Sequence, residues 1–383
     1  MLRLTVALLL AISLIATPAR AFTLWTHEDL KELLEYVERV SSHGLDPADY
    51  DVEELRLDVV RPRQDWDARA GNIFLHLAAD LSRGHVGNRS ARAWYIEPPS
   101  LSEDGRVQLL VQALGEHRVR ETLEGLAPRH PEYGRLRAAL AATPAGDREA
   151  RLRLRANLER WRWMPRELGD RYLLVNVPAY TVTLFEGSRP IWTRRVIVGK
   201  PETPTPQFSA IVTGVIFNPW WDVPDSIVRE SVGSLVRTQP ALARQKGYVI
   251  QNGRYRQRPG PGNALGQAKL VMPNAYRVYL HDTPTKALFD EPARAFSHGC
   301  VRTQDMLGFA EDLLAGTPGW SGTDIERAVA AGTTTQANLA RPLPIYIGYF
   351  AAATAGDGAM RSYPDIYKRD ASIVAQLVDR GLN

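Results

Sequence analysis

Cysteine is almost missing from this chain: Cys300 is the one thiol in 383 residues. An internal disulfide is excluded, and so is every zinc site that needs several cysteines. Charge of one sign is also lacking, with 47 basic residues against 43 acidic ones. Nucleic acid needs a concentrated basic patch beside stacking aromatics, and aromatics make up only 8% of the chain, so no nucleic-acid partner is expected. The Arg-rich run from Arg148 to Trp163 alternates with leucine at helical spacing and reads as a structural amphipathic helix. Long apolar runs are absent after residue 21, so no permanent membrane span is expected. What remains is ordinary for a globular protein, 44% apolar and 23% charged, at a length that suits more than one domain.

The N-terminus carries the one address. "MLRLTVALLLAISLIATPARA" has a basic start at Arg3, an apolar run from Leu4 to Ala16, and small residues at Ala19 and Ala21. That three-part pattern predicts a cleaved signal peptide over residues 1–21 and a soluble protein exported to the periplasm or cell envelope. No cysteine stands at the cleavage point to carry a lipid. Export sharpens the question of the thiol, because an oxidising compartment is a hazard for an idle cysteine. Cys300 follows the polar, turn-like "SHG" rather than sitting in an apolar strand, which counts against an inert buried cysteine.

Residues 22–150 read as a helical accessory or scaffold domain. "HEDLKELLEYVERV" places Leu30, Leu33, Leu34 and Val37 on one helix face behind a Thr26 cap, and "DWDARAGNIFLHLAADLSRG" and "PEYGRLRAALAA" look similar. Six of the eight histidines fall here (His27, His43, His76, His85, His117, His130) without metal-ligand spacing. His76 reads as a packed helix residue, and neither a metal nor a cofactor is expected. A connecting helix spans 151–170. From 171 to 350 the pattern turns to short β-rich runs with Pro/Gly turns, including "FSAIVTGVIFNP", "AKLVMP", "YRVYLHD" and "PLPIYIGYFAA". These predict a sandwich or barrel rather than βαβ units. Residues 222–261 interrupt the strands as a lid-like excursion, helices are expected at Asp305–Leu314 and Asp324–Ala330, and 351–383 is a tail.

No histidine occurs between His130 and His281; then His281 and His298 fall within nineteen residues of Cys300. A thiol performs acyl transfer when an imidazole takes its proton and a third group orients that imidazole. His298, two residues before the cysteine, is too close along the chain to be the obvious base. His281 ends the run "YRVYLH" and can face Cys300 if the chain returns alongside it.

"HDTPTKALFDEPARAFSHGCVR" resembles the signature of the L,D-transpeptidases with the YkuD-type domain. In that family a histidine is followed after about fifteen residues by Ser/Thr-His-Gly-Cys; here Asp282 to Phe296 separate His281 from Ser297-His298-Gly299-Cys300. The segments "NLERWRWMP", "LLVNVPAY", "RRVIVGKPETPTPQFSAIV", "FNPWWDVPDSIVRE", "PGPGNALGQAKLVMPN" and "PDIYKRDA" resemble the larger, multi-domain proteobacterial branch. The resemblance runs from Asn157 to Ala371 and implies an α+β protein. A helical N-terminal scaffold domain would be followed by a mainly-β, sandwich-like catalytic domain with peripheral helices.

It also implies a chemistry. Cys300 would attack the carbonyl of the third residue of a peptidoglycan stem peptide, releasing D-Ala from a donor tetrapeptide, and an acceptor amine would take the thioester to join third residue to third residue. His281 would be the base, oriented by the Asp282 main-chain carbonyl. Gly299 and Cys300 N–H groups would hold the oxyanion, with Ser297 supporting the motif and His298 organising the loop or touching substrate. Arg302 would hold a stem carboxylate or brace the site, or simply pair within the fold. The resemblance would also make the protein a carbapenem target with a part in cell shape. Two departures stand out: no repeat-like segment corresponds to the small peptidoglycan-binding module that multi-domain relatives insert, and the lid stretch is short. Other readings are a same-fold carboxypeptidase or endopeptidase, a wall-protein attachment or release enzyme, and a silent wall-binding scaffold. The sequence names no protein partner.

Overall fold

A computed structural model describes residues 25–89, 93–97 and 101–378. The expected signal peptide lies outside them. Among the described residues no helix is long and apolar enough to cross a membrane.

The N-terminal part is helical: α1 (His27–Arg39), α2 (Val52–Val60), α3 (Trp66–Arg83), α4 (Glu103–Gly115) and α5 (Val119–Leu126). Thr26 caps α1 through a reciprocal pair, its hydroxyl accepting from the Asp29 N–H while Asp29 accepts from the Thr26 N–H. Leu30, Leu33 and Val37 of α1 meet Phe74, Leu77 and Leu81 of α3 and Leu123 of α5 in one buried cluster. Helices α6 (Pro131–Ala142) and α7 (Arg148–Arg162) instead pack into the core of the strand domain, through Tyr133, Leu136, Leu154 and Trp161.

The amphipathic reading of the Arg-rich run holds only for the first half of α7. From Ala156 to Arg162 every residue is buried, charged ones included. Glu159 explains why this is tolerated: it accepts from Arg162, from the Trp163 indole at 3.0 Å and from the Val86 N–H at 2.7 Å. Buried charges persist when their hydrogen bonds are filled.

Among the described residues fourteen strands follow: β1 (Arg171–Asn176), β2 (Thr181–Glu186), β3 (Arg189–Gly199), β4 (Phe208–Phe217), β5 (Trp221–Asp222), β6 (Tyr248–Gln251), β7 (Arg254–Gln257), β8 (Ala268–Val271), β9 (Leu280–His281), β10 (Ala295–Ser297), β11 (Val301–Thr303), β12 (Thr335–Gly348), β13 (Ala352–Thr354) and β14 (Met360–Ser362). The main sheet runs β10-β3-β11-β9-β8-β4-β12-β1-β2, and β2 also pairs with β3. The expected sandwich is thus a ladder that closes on itself, which leaves few free edges. The whole is α+β, a helical N-terminal region followed by a mostly-β domain.

Two segments differ from the sequence reading. "YRVYLHD" contributes only Leu280 and His281 to the ladder. Before them Arg277 adopts a left-handed φ of 56°, and the Asn274 side chain accepts from the N–H groups of Tyr276 and Val278, holding a turn in place of a strand. The excursion carries strands of its own where the sequence reading placed none: short helical segments from Asp225 to Gln245 lead into a three-stranded sheet, β5-β7-β6. It has its own small core of Trp221, Val223, Val232 and Leu265, against which Tyr279 packs.

Candidate active site

Strands β9 and β11 run parallel, with Leu280 opposite Val301 and His281 opposite Arg302. The Val301 N–H donates to the Tyr279 carbonyl at 3.1 Å, so the next row sets Tyr279 beside Cys300. On the other side of β9, Lys269 of β8 pairs with His281. Side chains alternate along strands and paired residues share a face. Lys269, Tyr279, His281, Cys300 and Arg302 therefore converge on one face of three adjacent strands, with His281 and Cys300 as diagonal neighbours. The two-residue spacing of Tyr279 from His281, and of Cys300 from Arg302, produces this convergence.

His281 is only 5% exposed, and its Nδ1 donates to the Asp282 carbonyl at 2.5 Å. A carbonyl can only accept, so the proton sits on Nδ1 and the Nε2 lone pair is left as a base. Burial, reinforced by the charges of Arg302 and Lys269, holds the imidazole far below its ordinary value, at about 3, against the opposing carbonyls of Asp282 and Leu265. The ring is neutral across the physiological range. The Asp282 carboxylate is committed elsewhere, to the Lys286 ammonium and to the Gln267 N–H at 2.9 Å.

Burial pushes the Cys300 thiol up, while hydrogen bonding from Tyr279 and the charges of Lys269 and Arg302 pull it back. Its Sγ lies 3.8 Å from the Arg277 carbonyl. The resting pair is therefore thiol and neutral imidazole rather than a preformed ion pair. Burial depresses both cations, Lys269 and Arg302, and nearness to Cys300 works against this in each.

Gly299 is placed differently from the sequence expectation. Its N–H donates to Ser297 Oγ at 3.1 Å, and that hydroxyl donates to the Cys300 carbonyl at 2.5 Å. The Gly299 N–H is thus spent inside the motif and is not an oxyanion donor in this state; a hydroxyl three residues from its target closes the turn first. Gly299 instead supplies a φ of 114°, which a side chain would strain, and its carbonyl accepts from Thr205 Oγ1 at 2.8 Å. No main-chain acceptor stands against the Cys300 N–H among the described residues. His298 turns away from the cysteine and meets Glu230 of the excursion, Nε2 to Oε2, at 2.7 Å.

Sequence reasoning missed Lys269, Tyr279 and Glu230. Lys269 did leave a signal: it is the one charge in the apolar run "AKLVMP". Its ammonium lies 4.8 Å from the centre of the Tyr279 ring, a cation–π distance.

Residues 170–320 match the L,D-transpeptidase catalytic domain family, YkuD, and residues 19–140 match a Scaffold domain family. A Haemophilus influenzae protein named "Putative L,D-transpeptidase" is 27% identical over 293 residues, 71% of this chain. The chain spans 59% of that relative's length. Among solved structures, an L,D-transpeptidase from Mycobacterium smegmatis is 13% identical, over 46% of this chain and 58% of that one, with a TM-score of 0.25. L,D-transpeptidase 1 of Mycobacterium tuberculosis is 14% identical over 46% and 60%, with a TM-score of 0.21. The chain thus carries a region similar to the Scaffold domain ahead of one similar to the YkuD L,D-transpeptidase catalytic domain.

Proposed function

We propose that the protein is an exported peptidoglycan L,D-transpeptidase, working in the periplasm, that joins stem peptides from third residue to third residue through a thioester on Cys300. The observation that carries this reading is that Cys300 immediately precedes β11, the strand that pairs in parallel with β9 and its His281. The export step rests on the sequence pattern of residues 1–21 alone.

In the first half-reaction Cys300 Sγ attacks the carbonyl carbon of the donor's third residue as His281 Nε2 takes the thiol proton. The Cys300 N–H is the main-chain donor for the tetrahedral oxyanion, and Lys269 and Arg302 supply positive charge on the same face. Collapse breaks the amide C–N bond, and the proton on His281 leaves with the D-Ala amine. In the second half-reaction the side-chain amine of another stem attacks the thioester and gives its proton to His281, and the thiol is restored. Bonds balance: one amide is exchanged for another, with no cofactor.

Incubation with disaccharide-tetrapeptide, followed by mass spectrometry, tests this. Cross-linked dimer, free D-Ala and loss of both in Cys300→Ala are the expected result. Tripeptide without dimer would replace the acceptor amine by water and make the protein a carboxypeptidase. Folded protein that yields neither product, and no carbapenem adduct at Cys300, would overturn the catalytic reading.

A further inference from the structure

The six N-terminal histidines looked scattered, yet folding gathers two of them around a carboxylate. His76 and Asp80 lie one turn apart on α3 and so project from the same side of the helix. The helix stops at Gly84, φ +85°, where a Cβ would stand 2.4 Å from both Glu159 Oε1 and Trp163 Nε1. Only a glycine fits that turn, and the turn carries His85 back onto the end of the helix. His85 Nδ1 lies 2.7 Å and His76 Nε2 3.4 Å from the same oxygen, Asp80 Oδ2. One donor atom from each of the three residues lies within 4.8 Å of the others. Asp49 Oδ2 stands 4.0 Å from His85 Nε2.

We propose that His76, Asp80 and His85 form a binding site for a divalent transition-metal ion of the zinc type, with a water molecule as fourth ligand. Two imidazoles and one carboxylate are a borderline donor set, suited to zinc rather than to the all-oxygen cages of calcium and magnesium. Tetrahedral ligands at zinc distances stand roughly 3.3 Å apart, close to the His76–Asp80 separation, and the His85–Asp80 pair would open by about half an ångström to match. Tyr50 donates its hydroxyl to Asp80 Oδ2 at 2.8 Å, the outer contact that fixes a ligating carboxylate. Asp80 and His85 also line an open cavity of about 650 Å³, which gives an ion a route in. The same cavity is lined by Arg83 and Arg89, which favour a water-derived or other anionic ligand on the ion.

The ion would pin His85 to the end of α3 and brace the Gly84 turn. Two residues beyond that turn, Val86 donates its N–H to Glu159 of α7. The role is structural, in the helical region, and does not touch the cysteine chemistry.

The test uses the full, tag-free chain, stripped with a chelator and dialysed against micromolar Zn²⁺, with bound metal measured by mass spectrometry. Wild type and Cys300→Ala should each retain one ion per chain, and His76→Gln should bind at least tenfold more weakly. His76 is partly exposed, so that variant can fold, which circular dichroism would verify. Zn²⁺ should also raise the thermal midpoint of wild type but not of His76→Gln. Wild type that retains no zinc, or that binds it no better than His76→Gln, would overturn the proposal.

Discussion

His298 Nε2 lies 2.7 Å from Glu230 Oε2, so the motif that carries the cysteine is tied to the folded excursion. Glu230 also meets Lys200 at 3.7 Å, at the end of the β3 edge beside the motif. Both contacts are solvent-facing and therefore weak and salt-sensitive. Glu230→Gln is expected to raise KM for the donor peptide roughly two- to fivefold at low salt, with little change in kcat. The difference from wild type should vanish at high salt. An equal KM at low salt would show that this contact does not hold the excursion over bound substrate.

Lys269 pulls the Cys300 thiol toward its charged form from β8, across the intervening β9. Lys269→Met removes that pull and leaves the effect of burial, so the thiol titrates at higher pH. Alkylation of Cys300 by iodoacetamide, followed across pH, should shift its midpoint upward, and turnover should fall about 10- to 100-fold. Arg302→Gln should move the alkylation profile in the same direction. An unmoved profile in both variants would remove these cations from the mechanism.

That the chain returns to set the segment of Cys300 beside that of His281 was legible because it depends on a local motif and one strand return. Lys269 was not, since its role depends on the register of β8 against β9, which no spacing encodes. The same holds for the long-range pairings of β1 with β12 and of β3 with β11, which close the sheet around the local β2–β3 hairpin. His76, Asp80 and His85 hid for another reason: their approach depends on a left-handed glycine, not on regular helical spacing. Gly299 misled in the opposite sense. Its place before the cysteine suggested an oxyanion donor, but Ser297 takes its N–H first.

Acid stability follows from the buried imidazoles. His281 is held at about 3 and His130 at about 4, both chiefly by burial, below the ordinary histidine value of 6.5. Between those values and 6.5 the unfolded chain binds more protons than the folded one, so stability is full above pH 6.5 and falls as the pH drops. Urea unfolding should show the loss between pH 6.5 and 4, on the order of a few kcal/mol in total. His281→Gln should flatten part of that slope. A wild-type stability that does not change over this window would mean that these rings are not buried neutral. Catalysis should not acquire an acid limb from His281 above pH 5, because its ring stays unprotonated there.

Glu159 and Arg162 are both fully buried, and they join segments spread between His43 and Trp163. Arg162 Nη1 donates to the His43 carbonyl at 2.7 Å and to the Tyr133 hydroxyl at 3.1 Å, while Glu159 receives Val86 and Trp163. Removing one charge strands the other without solvent, which costs about 3–5 kcal/mol. Glu159→Gln keeps the shape but leaves Arg162 uncompensated, and should lower the thermal midpoint by roughly 10 °C. Arg162→Met should cost a similar amount through the orphaned carboxylate. The double variant Glu159→Gln/Arg162→Met leaves no buried charge and should be less destabilised than the sum of the two, the mark of a coupled pair. Additive losses would instead assign the stability to the separate hydrogen bonds that each residue makes to Val86, Trp163, His43 and Tyr133.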